Sequence, residues 1–406
     1  MACLDGLRGG LAVYVMLSHL APFAAIPGWI AAALSHGGAA VDVFFALSGM
    51  VIATSLDRFA WRPGPFLRAR VRRIFPLFLA VFALAVALQP LALPFASMPW
   101  IGPASPARFI WSGGWPAAWA PELLAHLTMT HGLFPRAILP DAWVSFLGAA
   151  WSLSTEWQFY ALLAALAAGR GERARGALPW LMLALGAAGL AWALAAPPGW
   201  RFSRAFLPNK AQYFALGIAG ADWQARAPGS GWRYAAALAA ALALSLAQGG
   251  VGKIAAPLVW TLCLAAERGG VPWLAALLRL RAAQALGAIS YALYLVNEPV
   301  QKALGLVLAR AAGGNAALFT VLWLPGAILL PLAAAWALHV AIERPIARAR
   351  GLIMRARGPI AWAGGLIMQA RGPLSATGRV AVGSRPPPQR SDIEARPCAP
   401  PRSSPF

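Results

Sequence analysis

The chain is poor in charged residues, and acidic residues are the scarcest. Only 12% of its 406 residues are charged, and 34 Lys and Arg stand against 13 Asp and Glu. Soluble domains carry about 25% charged residues, so this deficit excludes an ordinary soluble protein. The chain is also 60% hydrophobic, and its net charge of +21 accompanies apolar runs rather than a nucleic-acid surface. The composition predicts a polytopic membrane protein that does not bind nucleic acid.

Cysteine is equally scarce. Cys3, Cys263 and Cys398 lie far apart and form no CxxC or Cys/His spacing. This distribution excludes a disulfide framework and a zinc site of the usual kind. The chain also lacks GxSxG, phosphate-binding-loop and HExxH motifs, so any histidine chemistry must be assembled across helices. We expect neither a bound metal nor a bound cofactor.

Apolar stretches predict an all-α fold, a membrane bundle of about ten transmembrane helices within a domain of residues 1–345. Several of the stretches are shorter than the roughly 20 residues that an untilted helix needs. The ten are 7–26, 38–56, 74–96, 145–168, 178–197, 208–222, 234–249, 251–266, 286–309 and 317–342.

Lys and Arg are distributed unequally between the two sides of this bundle. With the N-terminus in the cytoplasm, 26 of them fall on the inner side and 8 on the outer side or in the outer half of the ninth span. Cytoplasmic loops carry the excess of positive charge in membrane proteins. The pattern therefore predicts that both termini are cytoplasmic.

The sequence changes character after Pro345, where we expect the last helix to stop beside a Glu343–Arg344 pair. In the tail 346–406, GLIMRARGPIAWAG recurs as GLIMQARGPLSATG, and the rest is rich in Pro, Arg and Ser. Such composition cannot bury a core, which predicts a disordered cytoplasmic tail whose basic charge contacts membrane lipids.

The first span holds two ionisable residues where lipid would favour neither. Arg8 and His19 are eleven residues apart, which brings both to one helix face about 16 Å apart. Ionisable residues inside a membrane helix commonly mark a functional site.

Two further charged positions each allow two interpretations. Asp42, at the start of the second span, either caps the helix or orients His19 as a catalytic carboxylate. Arg70 and Arg73 share a face at the inner end of the third span. They either anchor the helix by the positive-inside rule or bind the phosphates of a donor.

Polar residues also enter the fourth and ninth spans. Glu156 lies about four residues inside the fourth span, where an isolated carboxylate is costly, and we interpret it as functional. In the ninth span, Glu298 and Lys302 have the i, i+4 spacing of an ion pair. Tyr291 and Asn297 are candidates to face a cavity.

The loop 97–144 contains five Trp, several Pro, and His126 and His131. This composition is typical of a packed interfacial segment with an aromatic belt. The alternative is that the loop forms one wall of an acceptor site.

Six pieces of the sequence resemble, in their order, the acyltransferase-3 family of membrane acyltransferases, which includes polysaccharide O-acetylases. They are LDGLRGGLAVYVMLSH, VDVFFALSGMVI, RARVRRIFP, WSLSTEWQFY, ISYALYLVN and ERP. The resemblance implies a ten-helix domain in a bacterial cytoplasmic membrane. It also implies transfer of an acyl group from a cytoplasmic donor, usually acetyl-CoA, to a hydroxyl of a glycan outside.

The resemblance assigns roles residue by residue. Arg8 and His19 match the family's Arg-x10-His pattern, Arg70 and Arg73 match its Arg-x-x-Arg pattern, and Glu156 matches its acidic position. We therefore expect His19 and Glu156 to be catalytic and the three arginines to bind the donor.

Two other positions complete the expected site. Tyr291 is placed with the donor-binding residues and Asp42 with the catalytic ones. Asn297 stands where the family commonly has His, which leaves that position hydrogen bonding rather than proton transfer.

Two functions compete at this stage. The first is an enzyme in which His19 is a general base or a transient acyl carrier, with acyl-CoA as co-substrate and a carbohydrate as acceptor. The second is a transporter whose Arg8, His19 and Glu156 bind a substrate in mid-membrane.

Overall fold

The computed structural model describes residues 2–111 and 113–348, and within them it forms helices and no β-strand. The tail from 349 onwards, with its predicted disorder, lies outside the described residues. The helices are α1 Ala2–Leu20, α2 Gly28–Leu34, α3 Gly37–Arg58, α4 Pro63–Leu88, α5 Pro106–Ile110, α6 Trp119–Leu127, α7 Trp151–Arg170, α8 Leu178–Ala195, α9 Ala211–Gln224, α10 Ser230–Gly249, α11 Ala255–Glu267, α12 Pro272–Leu278, α13 Arg281–Ala311 and α14 Ala316–Leu338.

The all-α prediction is confirmed, but the number of ten spans is not. Four helical segments of the described chain are long and apolar enough to cross a membrane: Gly28–Arg58, Pro63–Leu88, Gly148–Ala195 and Ala316–Arg348. A fifth joins them if α11 and α12, bent by 92°, count as one span. Helices α9 and α11 have only 14 and 13 residues, which is short for a membrane 30 Å thick.

The segment Gly148–Ala195 contains two helices that fold back on each other. The backbone N–H of Leu207 donates to Gln158 in the first half of α7. Gly189, in the second half of α8, lies so close to Pro208 that a Cβ there would approach the proline Cβ within 2.7 Å. Leu207 and Pro208 are consecutive, so the first half of α7 and the second half of α8 lie near the same point. The chain therefore reverses direction between α7 and α8.

Helices α1 and α13 pack tightly along their length. A Cβ on Gly9 would lie 2.6 Å from the backbone nitrogen of Gly287, so only glycine permits this approach. Farther along, His19 contacts Asn297. Ten residues separate the two contacts on each helix, which means that α1 and α13 run parallel.

The last helix does not stop where the sequence predicted. A π-turn at His339–Glu343 follows α14, and the chain stays helical through Arg348. The wider turn shifts the backbone hydrogen-bond register just before Pro345, whose missing N–H is then accommodated. Glu343 bonds to His339 at 2.5 Å rather than pairing with Arg344.

Candidate active site

His19 is held by an amide on the facing helix. Its Nδ1 lies 2.7 Å from Oδ1 of Asn297, which is fully buried, whereas His19 itself is half-buried. The predicted partner Asp42 does not occupy this position. Packing of α1 on α13 therefore supplies the residue that orients His19.

The Asn297 amide has a defined orientation, and this fixes the histidine tautomer. Its Nδ2 donates to the backbone oxygens of Leu293 and Tyr294 at 2.9 and 2.7 Å. Oδ1 must then face His19, and because an amide oxygen only accepts, the proton lies on Nδ1 of His19. In the neutral ring Nε2 consequently carries a lone pair, which is the form that a general base requires.

Asp42 is paired with a lysine. Its Oδ1 lies 2.6 Å from Nζ of Lys210, both side chains are buried, and Lys253 lies 3.9 Å from Oδ2. The expectation that Asp42 orients His19 is wrong. The parallel packing of α3 on α9 brings Lys210 to the carboxylate, and a buried carboxylate needs such a counter-charge.

Glu156 belongs to a separate polar cluster between α3 and α7. Its Oε1 accepts from Ser48 Oγ at 3.0 Å and from the hydroxyl of Tyr160, one turn along α7. The two donors satisfy this oxygen of the half-buried carboxylate. The carboxylate therefore has a defined position facing the space between α3, α4 and α7.

The two arginines of α4 have different surroundings. Arg70 is 4% exposed, donates to Ser55 Oγ at 2.7 Å and lies against the rings of Phe66 and Tyr160. Arg73 is half-buried and interacts electrostatically with Arg8. Neither is simply an exposed anchor, and Arg73 is the more accessible of the two.

Arg8, Arg73, Glu156 and Tyr291 converge. The Arg8 guanidinium interacts electrostatically with Arg73, Glu156 and the carboxylate of Glu343. The Tyr291 hydroxyl donates a hydrogen bond to the backbone oxygen of Ile74 at 2.9 Å and interacts electrostatically with Glu156 and Arg73. The positive charges of Arg8 and Arg73 repel each other, and the carboxylates of Asp5, Glu156 and Glu343 offset part of this repulsion.

Glu298 does not form the predicted ion pair with Lys302. Its two oxygens accept from the backbone N–H groups of Gly148 and Ala149 at 3.1 and 3.0 Å, just before α7 begins. Within the described residues, Lys302 makes no ion pair shorter than 4.0 Å. Free N–H groups at a helix start attract a carboxylate more strongly than an i, i+4 lysine does.

The histidines of the loop 97–144 form a buried stack. The rings of His126 and His131 lie 4.0 Å apart and nearly parallel, and Phe82 stacks on the other face of His126. Burial lowers the pKa of His126 to about 4 and lowers that of His131 as well. Both rings are therefore neutral at pH 7, and this part of the loop is a packed core, as the aromatic-belt interpretation predicted.

Sequence reasoning missed Asn297 as the partner of His19, although it had marked the position as a departure from the family pattern. It also missed Ser48 and Lys210, whose partners lie more than 100 residues away. No group of three or more His, Cys, Asp or Glu in residues 2–111 and 113–348 has the arrangement of a metal site.

Comparisons with known proteins identify the family of the chain. An acyltransferase domain model matches residues 1–340. A stretch of 99 residues is 35% identical to "Protein 2 in picA locus" of Rhizobium radiobacter, covering 22% of this chain and 49% of that protein. The match thus spans about half the length of that relative, and no solved structure matches the chain. The chain belongs to the acyltransferase-3 family.

Proposed function

We propose that the protein transfers an acyl group, typically acetyl, from cytoplasmic acyl-CoA to a hydroxyl of a carbohydrate on the other side of the membrane. The observation that carries the proposal is the His19–Asn297 hydrogen bond, because it leaves Nε2 of His19 free to accept a proton. Arg8, on the same helix and about 16 Å away, interacts electrostatically with Arg73, and these two arginines are the proposed phosphate ligands.

The proposed reaction is a direct transfer. The acceptor hydroxyl gives its proton to Nε2 of His19 while its oxygen attacks the thioester carbonyl carbon. The carbon–sulfur bond then breaks, and the departing CoA thiolate recovers the proton from the imidazolium. A general base of this kind contributes about 10²–10⁴-fold to the rate.

The donor's phosphates fit best between Arg8 and Arg73. Guanidinium groups bind phosphate bidentately, and a phosphate between two arginines removes their repulsion. Arg70 would support this site from its buried position against Tyr160. Glu156 and Tyr291, whose charge and hydroxyl face the same space, would position the thioester arm.

The orientation in the membrane completes the proposal. Placing both termini in the cytoplasm puts 26 of the 34 Lys and Arg on the inner side. The parallel packing of α1 on α13 agrees with this assignment, in which the first and ninth spans cross in the same direction. The donor cluster then lies toward the cytoplasm and His19 toward the outside of a bacterial inner membrane.

The proposal is tested by thioester turnover. Purified protein in lipid nanodiscs is mixed with acetyl-CoA and envelope glycans, and released CoA and acetylated glycan are measured together. We expect both products from the wild type and neither from His19→Gln, whose amide hydrogen-bonds but cannot accept the proton. His36→Gln, on an exposed histidine, is the matched control. Turnover by His19→Gln near the wild-type rate would contradict the assignment.

A further inference from the structure

A cavity of about 380 Å³ lies between the loop 97–144 and the facing parts of α4 and α13. Small-molecule sites in proteins commonly have volumes of about 300–1,000 Å³. The residues whose chemistry matters here are Gln89, Arg108, Trp115, Asp141, Phe146 and Lys302. The donor cluster around Arg8 contributes none of the lining.

Aromatic rings form part of the cavity wall. Trp115 is 47% exposed and meets the ring of Phe146 edge-on at 5.8 Å, and Phe109 lines the same space. Flat aromatic surfaces interrupted by a few polar groups suit a ligand with both apolar faces and hydroxyls. A sugar ring has this character.

Lys302 is the polar group that distinguishes this cavity. It is 8% exposed, yet within the described residues it makes no hydrogen bond and no ion pair shorter than 4.0 Å. The nearest carboxylate, Glu298, has both oxygens engaged by the N–H groups of Gly148 and Ala149. An ammonium that lines the cavity and makes no hydrogen bond to the protein would bind an anionic oxygen there strongly.

Apart from Glu298, the charges on the wall do not compensate Lys302. Asp141 is exposed to solvent, which screens its charge. Arg108 adds a second positive charge to the lining, although its own N–H groups reach the backbone oxygens of Ile101 and Gly102. Burial therefore makes Lys302 the stronger determinant of what binds.

The cavity lining includes residues next in sequence to the partner of the proposed base, although His19 and Asn297 do not line it themselves. Glu298 and Pro299 line it, and they follow Asn297, the residue that holds His19. The Glu298 carboxylate lies within electrostatic range of His19. A ligand in this cavity can therefore present a hydroxyl to the same region of α13.

We propose that this cavity binds the acceptor and that the acceptor is an acidic glycan, whose carboxylate or phosphate contacts Lys302 while a sugar ring packs on Trp115. The inference deepens the proposed function and rests on it only in identifying the bound glycan as the acceptor. Carboxylate and phosphate share the chemistry that Lys302 recognises, and the experiment separates them.

Three trisaccharides serve as probes for direct calorimetric binding to the full chain in detergent, without any donor. One consists of galacturonate units, one is its neutral galactose counterpart, and one is that neutral sugar carrying a single phosphate. Lys302→Met removes the charge and keeps the side-chain volume. Arg310→Met is the matched control, because Arg310 is an exposed cation two turns farther along α13.

We expect the wild type and Arg310→Met to bind at least one acidic trisaccharide about tenfold or more tightly than the neutral one, as a charge-assisted contact would give. Lys302→Met should bind all three equally. Whichever acidic probe binds more tightly identifies the anion. Equal binding of all three by the wild type, or a preference that survives in Lys302→Met, would overturn the proposal.

Two further results keep the outcomes separable. If Lys302→Met is not recovered folded, the comparison of acidic and neutral probes on the wild type decides alone. If the acidic preference is present but no acetyl group reaches any glycan in the turnover assay, the proposed function fails and the anionic-glycan site stands.

Discussion

Replacing Asn297 with Leu is expected to slow catalysis while leaving the donor site unchanged. Leu has a similar size and fits the fully buried position, but it cannot accept the hydrogen bond that Nδ1 of His19 donates to Asn297 at 2.7 Å. Losing a hydrogen-bond partner at a partly buried group costs about 1–3 kcal/mol. Since about 1.4 kcal/mol corresponds to tenfold, kcat should fall roughly 5- to 150-fold.

The measurement is the initial rate of CoA release at saturating acetyl-CoA, in His19→Ala, Asn297→Leu and the double variant. Asn297 acts only through His19 in this mechanism, so the double variant should be no slower than His19→Ala alone. The KM for acetyl-CoA should stay within about twofold, because the donor cluster is separate. Multiplying effects in the double variant would refute the reasoning, as would an Asn297→Leu protein with the wild-type rate.

Three other predictions concern charges. Arg73→Met should raise the KM for acetyl-CoA about tenfold or more, whereas Arg72→Met, on an exposed neighbour, should not; equal effects in a donor titration would indicate simple anchoring. Lys210→Met should lower the free energy of unfolding by up to about 3–5 kcal/mol, because it leaves the buried Asp42 with only the more distant and more exposed Lys253 as counter-charge; the double variant Asp42→Asn/Lys210→Met should lose less in detergent unfolding curves. The free energy of unfolding should fall as the pH drops from 6.5 towards about 4, by about 3 kcal/mol from His126 alone, because the unfolded chain binds a proton there that the native chain does not. His126→Phe should flatten the profile of thermal denaturation against pH between pH 7 and 4.5. An unchanged slope in this variant would contradict the prediction.

Periodicity along single helices could be predicted from the sequence because it depends only on neighbouring residues. Glu156 and Tyr160 have the i, i+4 spacing that places two residues on one helix face, and the structure joins them by a hydrogen bond. The prediction that Arg8 and His19 share a face follows from the same geometry. Both residues interact with other helices, Arg8 electrostatically with Arg73 and His19 by its hydrogen bond with Asn297.

Partners on other helices could not be predicted in this way. The sequence places Asp42 and His19 at similar depths in the membrane, which indicated a pair, but depth alone does not fix which helix faces meet. Glycines decided it: Gly9 brings α1 against α13 and thereby His19 to Asn297, while Gly49 brings α3 against α9 and thereby Asp42 towards Lys210. A single sequence does not show which glycine contacts which helix.

The number of spans could not be fixed for a related reason. Apolar length is a good measure of a helix that faces lipid, but α9 is almost wholly buried inside the protein and has only 14 residues. Protein neighbours then replace the lipid, and the constraint on length is relaxed. Hydropathy alone therefore misjudges the inner helices of the bundle.

The rigid spacing between Arg8 and His19 also constrains the donor. Both lie on α1, which is held parallel to α13 by contacts near Gly9 and at His19, so their separation of about 16 Å cannot change without unpacking the helices. A donor whose phosphates bind between Arg8 and Arg73 must extend its acyl group along most of that length to reach Nε2. The long arm of coenzyme A satisfies this requirement, whereas a compact donor such as acetyl phosphate would have to leave the arginines to react. In the proposed mechanism the helix thus selects the donor by length as well as by charge.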